Sequence, residues 1–342
     1  MKIIQIIDSL ELNGGSTTFL EYVSAMRRYW TDATVTPYVV SKTGLYGREE
    51  LVDETLPKSY GIDDLKTYSY DTFNDIRESI RDTVIFHHVL GHTRPIFFHK
   101  SCKYILVNHT ATNIKRLPRF KAAVIVCVSD YFTKRLRIQT RIKARTILNG
   151  CEDYYGAAES KIQDNRIIIG RCQRVVPSKM KEITSVQGCV NYVVGPVGKN
   201  FKKRKEMKDC IFVGPVFDKQ EKLKWVSSFD VYLHNAGAPE GASMAILEAL
   251  SCGVPVLARN VGGGVLELVR DKRNGRLFRS AADLKKVLTG LISKDIKKLR
   301  VSVREDFLQR LHIKHSLVQY RKLAEDGMAF PSPRQERAII DG

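Results

Sequence analysis

Residues 238–263 read APEGASMAILEALSCGVPVLARNVGG. Just upstream, DVYLHN (230–235) is an apolar, β-rich run that ends in polar residues and reads as a strand. Ala236 to Ser243 reads as a loop, MAILEALS (244–251) has helical spacing, Gly253 and Pro255 stop it, and PVLARN (255–260) is the next strand. Strand, loop, helix, strand is the repeating unit of a parallel α/β sheet. Glu240 falls in the loop at the strand's C-terminal end, and Glu248 falls more than a turn along the helix. At about 100° per helical residue the two are not a same-face pair. They suit two ends of one extended ligand lying over the helix N-terminus, with the N–H groups of Gly241, Ala242 and Ser243 between them. The plainer alternative is a solvated loop carboxylate and the wet face of a helix.

The same alternation runs through most of the 342 residues. KIIQIID, TPYVVS, TVIFHH, KYILVNH, AVIVCVS and RTILN read as strands in the first half, and RIIIGRC, NYVVG, DCIFVG, DVYLHN and PVLARN in the second. Two series, in a chain longer than one core usually supports, imply two doubly wound domains. The first covers 1–150. Residues 151–164, CEDYYGAAESKIQD, are polar without period and read as a linker. The second covers 165–325, with a long helical pattern from about Lys286 to Ala324. The Pro-, Gly- and charge-bearing tail 326–342 reads as disordered.

No stretch approaches the roughly 20 apolar residues of a membrane span, and MKIIQIID reaches Asp8 too soon for a signal peptide, so the expectation is a cytoplasmic protein. Seven cysteines, odd in number and without a CxxC pair, fit reduced thiols in a core rather than disulfides or zinc. The net charge of +19 is uneven: residues 1–110 hold 12 Lys and Arg against 14 Asp and Glu, and 111–342 hold 44 against 23. From Lys115 to Arg145 there are ten basic residues and one acid, Asp130. Such a surface attracts polyanions, whether nucleic acid, anionic lipid or phosphorylated substrate, unless it is simply a solvated face.

After the first strand comes NGGSTTFLEYVSAM, in which Gly14 and Gly15 allow a tight turn and Ser16 or Thr17 can cap a helix. A glycine turn opening a helix after a parallel strand is either an anion site or a plain connection. GxGxxG is absent, and GPVGK (195–199) is too short for a phosphate loop and lacks the hydroxyl after its lysine. His87, His88, His92, His99 and His109 fall within 23 residues, but no Asp or Glu lies between Asp82 and Asp130, so no metal site is assigned. His109 ends a strand, where such folds place site groups, though capping or core bonding serves a histidine there equally well. Arg171 ends RIIIGRC, and Lys179 follows eight residues later. A planar fork and a point charge on one rim can hold a diphosphate, or both can belong to the general basic excess.

PEGASMAILEALSCGVPVLARNVGG resembles the E-x7-E segment of retaining GT-B glycosyltransferases, glycosyltransferase family 4 especially. LNGGSTTFLEYV, ILVNHTAT, VIVCVSDYFTKRL, TILNGCED, IIIGRC and VRDKRNGRLF are similar to further landmarks of that family and stand in its order. The resemblance implies two Rossmann-like domains facing a cleft, with the final helix packing back on the first. It implies transfer of a sugar from a nucleotide diphosphate sugar, UDP most readily, with retention and without a metal. Glu248 would bind the ribose hydroxyls and Glu240 hydroxyls of the donor sugar. Gly14, Gly15, Arg171 and Lys179 would stabilise the diphosphate as its charge grows, and His109 would contact the transferred sugar.

Three features depart from the pattern. Ala242-Ser243 stands where Phe-Gly is usual, which alters the sugar pocket; the interval from Arg171 to Lys179 is long; and NVGGGVLELV carries one more glycine, which bears on Glu267. The expected acceptor is a glycan or glycolipid at an anionic membrane surface, and the basic 115–145 region serves such a surface or a nucleic acid equally. A base-modifying nucleic-acid glycosyltransferase and a sugar-nucleotide epimerase or hydrolase are the alternatives.

Overall fold

The computed structural model describes residues 1–10, 13–41, 54–67, 83–89, 102–109, 124–157, 162, 166–173, 189–197, 207, 210–292 and 296–326. The chain divides into two compact units, residues 1–149 together with 313 onward, and residues 150–312.

Unit 1 is built on a parallel sheet of seven strands in the order β3-β2-β1-β4-β5-β6-β7. These are β1 Lys2–Ser9, β2 Thr34–Ser41, β3 Lys66–Thr67, β4 Thr83–Val89, β5 Lys103–Asn108, β6 Val124–Cys127 and β7 Arg145–Thr146. In β1 the residues Ile3, Ile4, Ile6 and Ile7 are all buried, because a parallel strand is covered on both faces and reads as a near-continuous apolar run. Gln5 and Asp8 interrupt that run and are buried with it. Among the described residues, the helices of this unit are α1 Gly14–Tyr29, the single turn α2 Thr55–Lys58, α3 Asp130–Thr140 and, from the far end of the chain, α9 Ile313–Glu325.

Helix α9 belongs to this core by its sequence spacing: Ile313, Leu317, Tyr320, Leu323 and Ala324 recur at helical intervals and are buried with Phe19, Phe86 and Leu106. Tyr320 meets Tyr22 and Phe86 edge to face, and the Tyr22 hydroxyl donates to Ser316 Oγ at 2.7 Å. Lys103 Nζ donates to the Ala324 carbonyl at 2.6 Å, a cation at the negative end of the helix. At the rim, both Arg321 nitrogens Nη1 and Nη2 bond the Asp32 carboxylate, and Arg321 holds its pKa down to about 2.

Unit 2 repeats the plan with six strands in the order β10-β9-β8-β11-β12-β13: β8 Ile167–Cys172, β9 Cys189–Val194, β10 Cys210–Gly214, β11 Val231–His234, β12 Val256–Arg259 and β13 Gly275–Phe278. Its helices are α4 Lys219–Ser227, α5 Met244–Ser251, the single turn α6 Val265–Leu268, α7 Ala281–Ile292 and α8 Ile296–Arg310. Every strand read from the sequence has its counterpart. β3 and β13 are added at the sheet edges, one only two residues long and the other opening on a glycine. The helical pattern from Lys286 to Ala324 is three helices rather than one. It breaks at Leu311-His312, where the Leu311 carbonyl accepts from Cys151 N–H and His312 pairs with Cys151 in an isolated bridge.

Of the polar stretch after residue 150, residues 151–157 and 162 are described, and they are anchored within unit 2. Asp153 takes Arg304 at 2.7 Å, and the same guanidinium lies over the Tyr155 ring. The tail from 327 lies outside the described residues.

In both sheets the strand order reverses direction once, between β1 and β4 and between β8 and β11. Open parallel sheets bind ligands at such switch points, outside the carboxyl ends of the strands, because the connections there leave to opposite faces. Of the described residues singled out from the sequence, Gly14 and Gly15 open the helix after β1, His109 follows β5, Arg171 lies in β8 and Glu240 follows β11.

Candidate active site

In unit 2 the loop after β11 carries Glu240, as the residue pattern requires. Its backbone lies alongside the glycine run after β12: Glu240 and Gly263 form a parallel bridge, and Gly264 N–H donates to the Glu240 carbonyl at 2.8 Å. Gly263 has φ +79°, and a β-carbon there would come within 2.6 Å of the Glu240 oxygen. One added at Gly264 would meet the Gly241 carbonyl at 2.6 Å. The extra glycine of NVGGG is therefore what lets two loops close together behind Glu240. The Glu240 side chain is about two-fifths exposed, and His234, at the end of β11, donates from Nε2 to its Oε1 at 2.8 Å. One carboxylate oxygen is thus tethered while the group keeps an accessible face.

Glu248 lies on the buried side of α5, its side chain 6% exposed. Its carboxylate takes the ammonium of Lys222 from α4, itself 13% exposed. Burying a carboxylate alone would cost several kcal/mol, so the lysine is the group that lets Glu248 sit inside the fold. Around this pair, burial and the Glu248 charge push the Cys172 thiol up and the Cys252 thiol up to about 12. These cysteines act as small apolar groups. Helix α5 begins at Met244, so the amides at its start belong to 244–246 and not to Gly241, Ala242 and Ser243, which remain loop. Ser243 stands at the N-cap position without a side-chain bond to them.

Arg171 lies in β8, beside Gly170 and directly across from Val193 of β9. It is fully buried, not on a rim. Its Nε and Nη2 lie inside without a hydrogen bond, while the side chain keeps other interactions. Lys179 lies outside the described residues. Glu267 sits in the single turn α6, where its carbonyl accepts from Arg310 Nη1 at 3.2 Å.

In unit 1, α1 begins at Gly14, and its cap is Asn13, whose Oδ1 accepts from Ser16 N–H at 2.9 Å. Neither Ser16 nor Thr17 caps. Both are buried inside the first turns, because the helix starts earlier than the glycines suggested. Among the described residues, a β-carbon at Gly14 would touch nothing within 4 Å, which leaves space beside the first turn of this 16-residue helix.

His109 follows β5 directly. Its Nε2 lies 2.9 Å from His88 Nδ1, and His88 Nε2 lies 2.7 Å from Gln5 Oε1. Burial holds both rings far below the ordinary histidine range, His109 at about 3, and the neighbouring His109 and His87 depress His88 further. Next to them His87 donates from Nε2 to Asp8 Oδ1 at 2.8 Å and accepts the Tyr104 hydroxyl at Nδ1 at 2.5 Å. Of the five clustered histidines, His87, His88 and His109 are partnered by Asp8, Tyr104, Gln5 and one another, and His92 and His99 lie outside the described residues. Among the described residues no group of three or more His, Cys, Asp or Glu is placed to hold a metal ion, and no helix is long and apolar enough to cross a membrane.

Sequence reasoning missed His234, Lys222, Gln5 and Asn13. His234 and Gln5 carried a usable signal, a polar residue inside or at the end of a buried parallel strand. Lys222 carried none, since it is one lysine among several in DKQEKLK.

Residues 168–294 match the family model described as Glycosyl transferases group 1. Among solved structures, the chain is similar to Anabaena HepE in complex with UDP, at 16% identity and TM-score 0.69, covering 94% of this chain and 99% of that one. It is also similar to a glycosyltransferase from Rickettsia africae, at 14% identity and TM-score 0.71, covering 95% and 98%. Staphylococcus aureus TarM, crystallised with fondaparinux, alpha-GlcNAc-glycerol and UDP, gives 13% identity and TM-score 0.71 over 95% and 100%. The fold is GT-B. Among curated proteins, Protein CapJ of Staphylococcus aureus is 35% identical over 95 residues, which is 28% of this chain and 22% of CapJ. This match therefore spans less than a quarter of that relative's length.

Proposed function

We propose that the protein is a retaining glycosyltransferase of the family 4 kind that transfers a sugar from a UDP-sugar to a hydroxyl of a glycan or glycolipid. The observation that carries this reading is the pair Glu240 and Glu248 on either side of the α5 N-terminus, at the β8/β11 switch point and inside the segment matching Glycosyl transferases group 1. Glu248, fixed by Lys222, accepts from the ribose hydroxyls. Glu240, fixed at one oxygen by His234, accepts from hydroxyls of the sugar. The diphosphate gains charge as the glycosidic bond breaks, and fixed donors that meet it lower the barrier most where that charge develops. In this reading the start of α5 and the buried charge of Arg171 serve that end in unit 2, together with Lys179, and the transfer uses no metal. In unit 1 the open first turn at Gly14 and Gly15 takes an anionic group, and His109 takes a sugar hydroxyl. Complexes of HepE with UDP-glucose and of TarM with UDP support a uridine donor by analogy.

The acceptor reading rests on the basic surface. On α3 and just beyond it Lys134, Arg137, Arg141, Lys143 and Arg145 are exposed, and Ile138 among them is 82% exposed. Cations around an apolar side chain suit an anionic membrane surface that presents a lipid-linked acceptor. This reading places the protein in the cytoplasm, peripheral to the inner face of a membrane.

Titration calorimetry with UDP-, GDP- and ADP-sugars tests the donor, with UDP-sugar binding expected; no binding by any of them overturns the reading. Cosedimentation with anionic and neutral vesicles, beside DNA binding at two salt concentrations, tests the surface. Retention on anionic vesicles alone is expected, and preference for DNA would favour a nucleic-acid acceptor.

A further inference from the structure

The contacts of His109 fix more than its position. Gln5 Nε2 donates to Met26 Sδ at 2.9 Å, which turns its Oε1 towards His88. An amide oxygen only accepts, so His88 Nε2 must carry a proton to bond it at 2.7 Å. A neutral His88 then has its lone pair on Nδ1, and His109 must donate to it from Nε2 across 2.9 Å. The ring geometry agrees. The two imidazoles are within 14° of coplanar with centroids 5.1 Å apart, the arrangement of rings joined edge to edge by an in-plane N–H···N bond, since both lone pair and N–H lie in the ring plane. Phe19 from α1 closes His88 from the side, edge-on at 5.5 Å.

The geometry points to a tautomer relay, Gln5 to His88 to His109, that holds His109 neutral with its proton on Nε2, so that Nδ1 is a standing hydrogen-bond acceptor for a ligand hydroxyl. Gln5 and His88 are positioning residues in this scheme, and their effect on the reaction passes through His109. The inference rests on the proposed reading for one step only, that the hydroxyl belongs to the sugar being transferred. Among the described residues, the titratable groups facing the relay are His87 on β4, with both its ring nitrogens engaged, and Asp8 on β1 and Tyr104 on β5 as its partners. Gln5 on β1, and Phe19 and Met26 on α1, are further described neighbours and do not titrate. An acceptor at Nδ1 suits a neutral hydroxyl and disfavours a phosphate oxygen, which has no proton to give at neutral pH.

Substituting Gln5→Glu reverses the relay. A carboxylate opposite His88 Nε2 favours the imidazolium, whose Nδ1–H then donates to His109 Nε2 and moves the His109 proton to Nδ1. Long-range proton–nitrogen NMR correlation on the full-length chain, with His88→Gln and His109→Gln samples for assignment, reads the state directly. The expected result is both rings neutral with Nε2–H from pH 8 down to pH 5 in the native chain, and His109 as the Nδ1–H form in Gln5→Glu. A His109 imidazolium above pH 5, or Nδ1–H in the native chain, overturns the relay whatever the reaction is. With a UDP-sugar as donor, kcat/KM is expected to fall about tenfold in Gln5→Glu, the order of one lost hydrogen bond, while the calorimetric affinity for UDP alone is unchanged. A reversed tautomer with full activity would overturn the assignment of Nδ1 to the transferred sugar. Failure of the native chain to bind any sugar nucleotide would instead sink the proposed function and leave the NMR result standing.

Discussion

At the β1/β4 switch point Gln5, His88 and His109 hydrogen-bond one another in a line, with His88 and His109 held neutral by burial, while His87 beside them bonds Asp8 and Tyr104. At β8/β11 the corresponding places present Glu248 paired with Lys222 and Glu240 tethered by His234, with Arg171 buried in β8. The two sheets share one strand order around their reversals, yet the chemistry differs. What differs is the helix end beside each: α1 opens on glycines with free space about Gly14, whereas α5 is preceded by a loop clamped against Gly263 and Gly264. One topology thus supports either a neutral hydrogen-bonding shelf or a charged one, depending on a handful of strand-end residues.

The largest effect should come from cutting the charged side. Lys222→Ala removes the ammonium bonded to buried Glu248 and should cost about 3–5 kcal/mol in unfolding free energy, measured as a fall in urea midpoint. Restoration by Glu248→Gln in the same chain would confirm the pairing, and an unchanged midpoint would refute it. Next, Glu240→Gln should lower sugar transfer about a hundredfold with unfolding unaltered, since its side chain is about two-fifths exposed. Full activity would remove Glu240 from the site.

Substitution at the glycines contrasts the two units directly. Gly263→Ala forces a β-carbon to within 2.6 Å of the Glu240 carbonyl at φ +79°, and should cost about 1–3 kcal/mol and loosen the Glu240 loop. Gly14→Ala meets open space and should stabilise by about 0.5 kcal/mol, while weakening donor binding if the first turn of α1 takes an anion. Calorimetric unfolding and UDP titration of the two variants separate the cases, because only the second should gain stability while losing affinity.

The smallest effect is acidic. His88 and His109 have folded pKa values below the unfolded 6.5, so the unfolded chain binds more protons and stability should decline as pH falls from 6.5 towards about 3. The ion pair of Asp32 with Arg321 behaves differently: its contribution is present above the unfolded 3.8 and goes only as pH falls through about 2. A His109→Gln chain should therefore lose melting temperature less steeply between pH 6.5 and 4 than the native one, and parallel slopes would show that His109 does not titrate on unfolding.

Much of this was legible in the residues. The strands were readable because parallel sheets demand long apolar runs, and α5 because Gly253 and Pro255 end it. Arg171 misled, since a polar residue at a strand end looks like a rim group until the neighbouring strands close over it. Ser16 and Thr17 misled for a related reason: hydroxyls cap helices often, but Asn13 lay one turn earlier and its side-chain oxygen takes the Ser16 N–H, so the helix starts before either hydroxyl. The glycine run 262–264 looked like an irregularity because its cause, the Glu240 loop, lies more than twenty residues away in sequence.

By itself the sequence determined the alternation of strands and helices, the two-sheet plan, the place of Glu240 and Glu248 around a helix start, and the uneven charge, because periodicity and local turn chemistry act over a few residues. Only the tertiary structure decided that Lys222 answers Glu248, and that Gln5 and His88 set the proton on His109. Those depend on which side chains meet across strands and helices far apart in the chain, and a buried polar group takes its state from the partner it meets there.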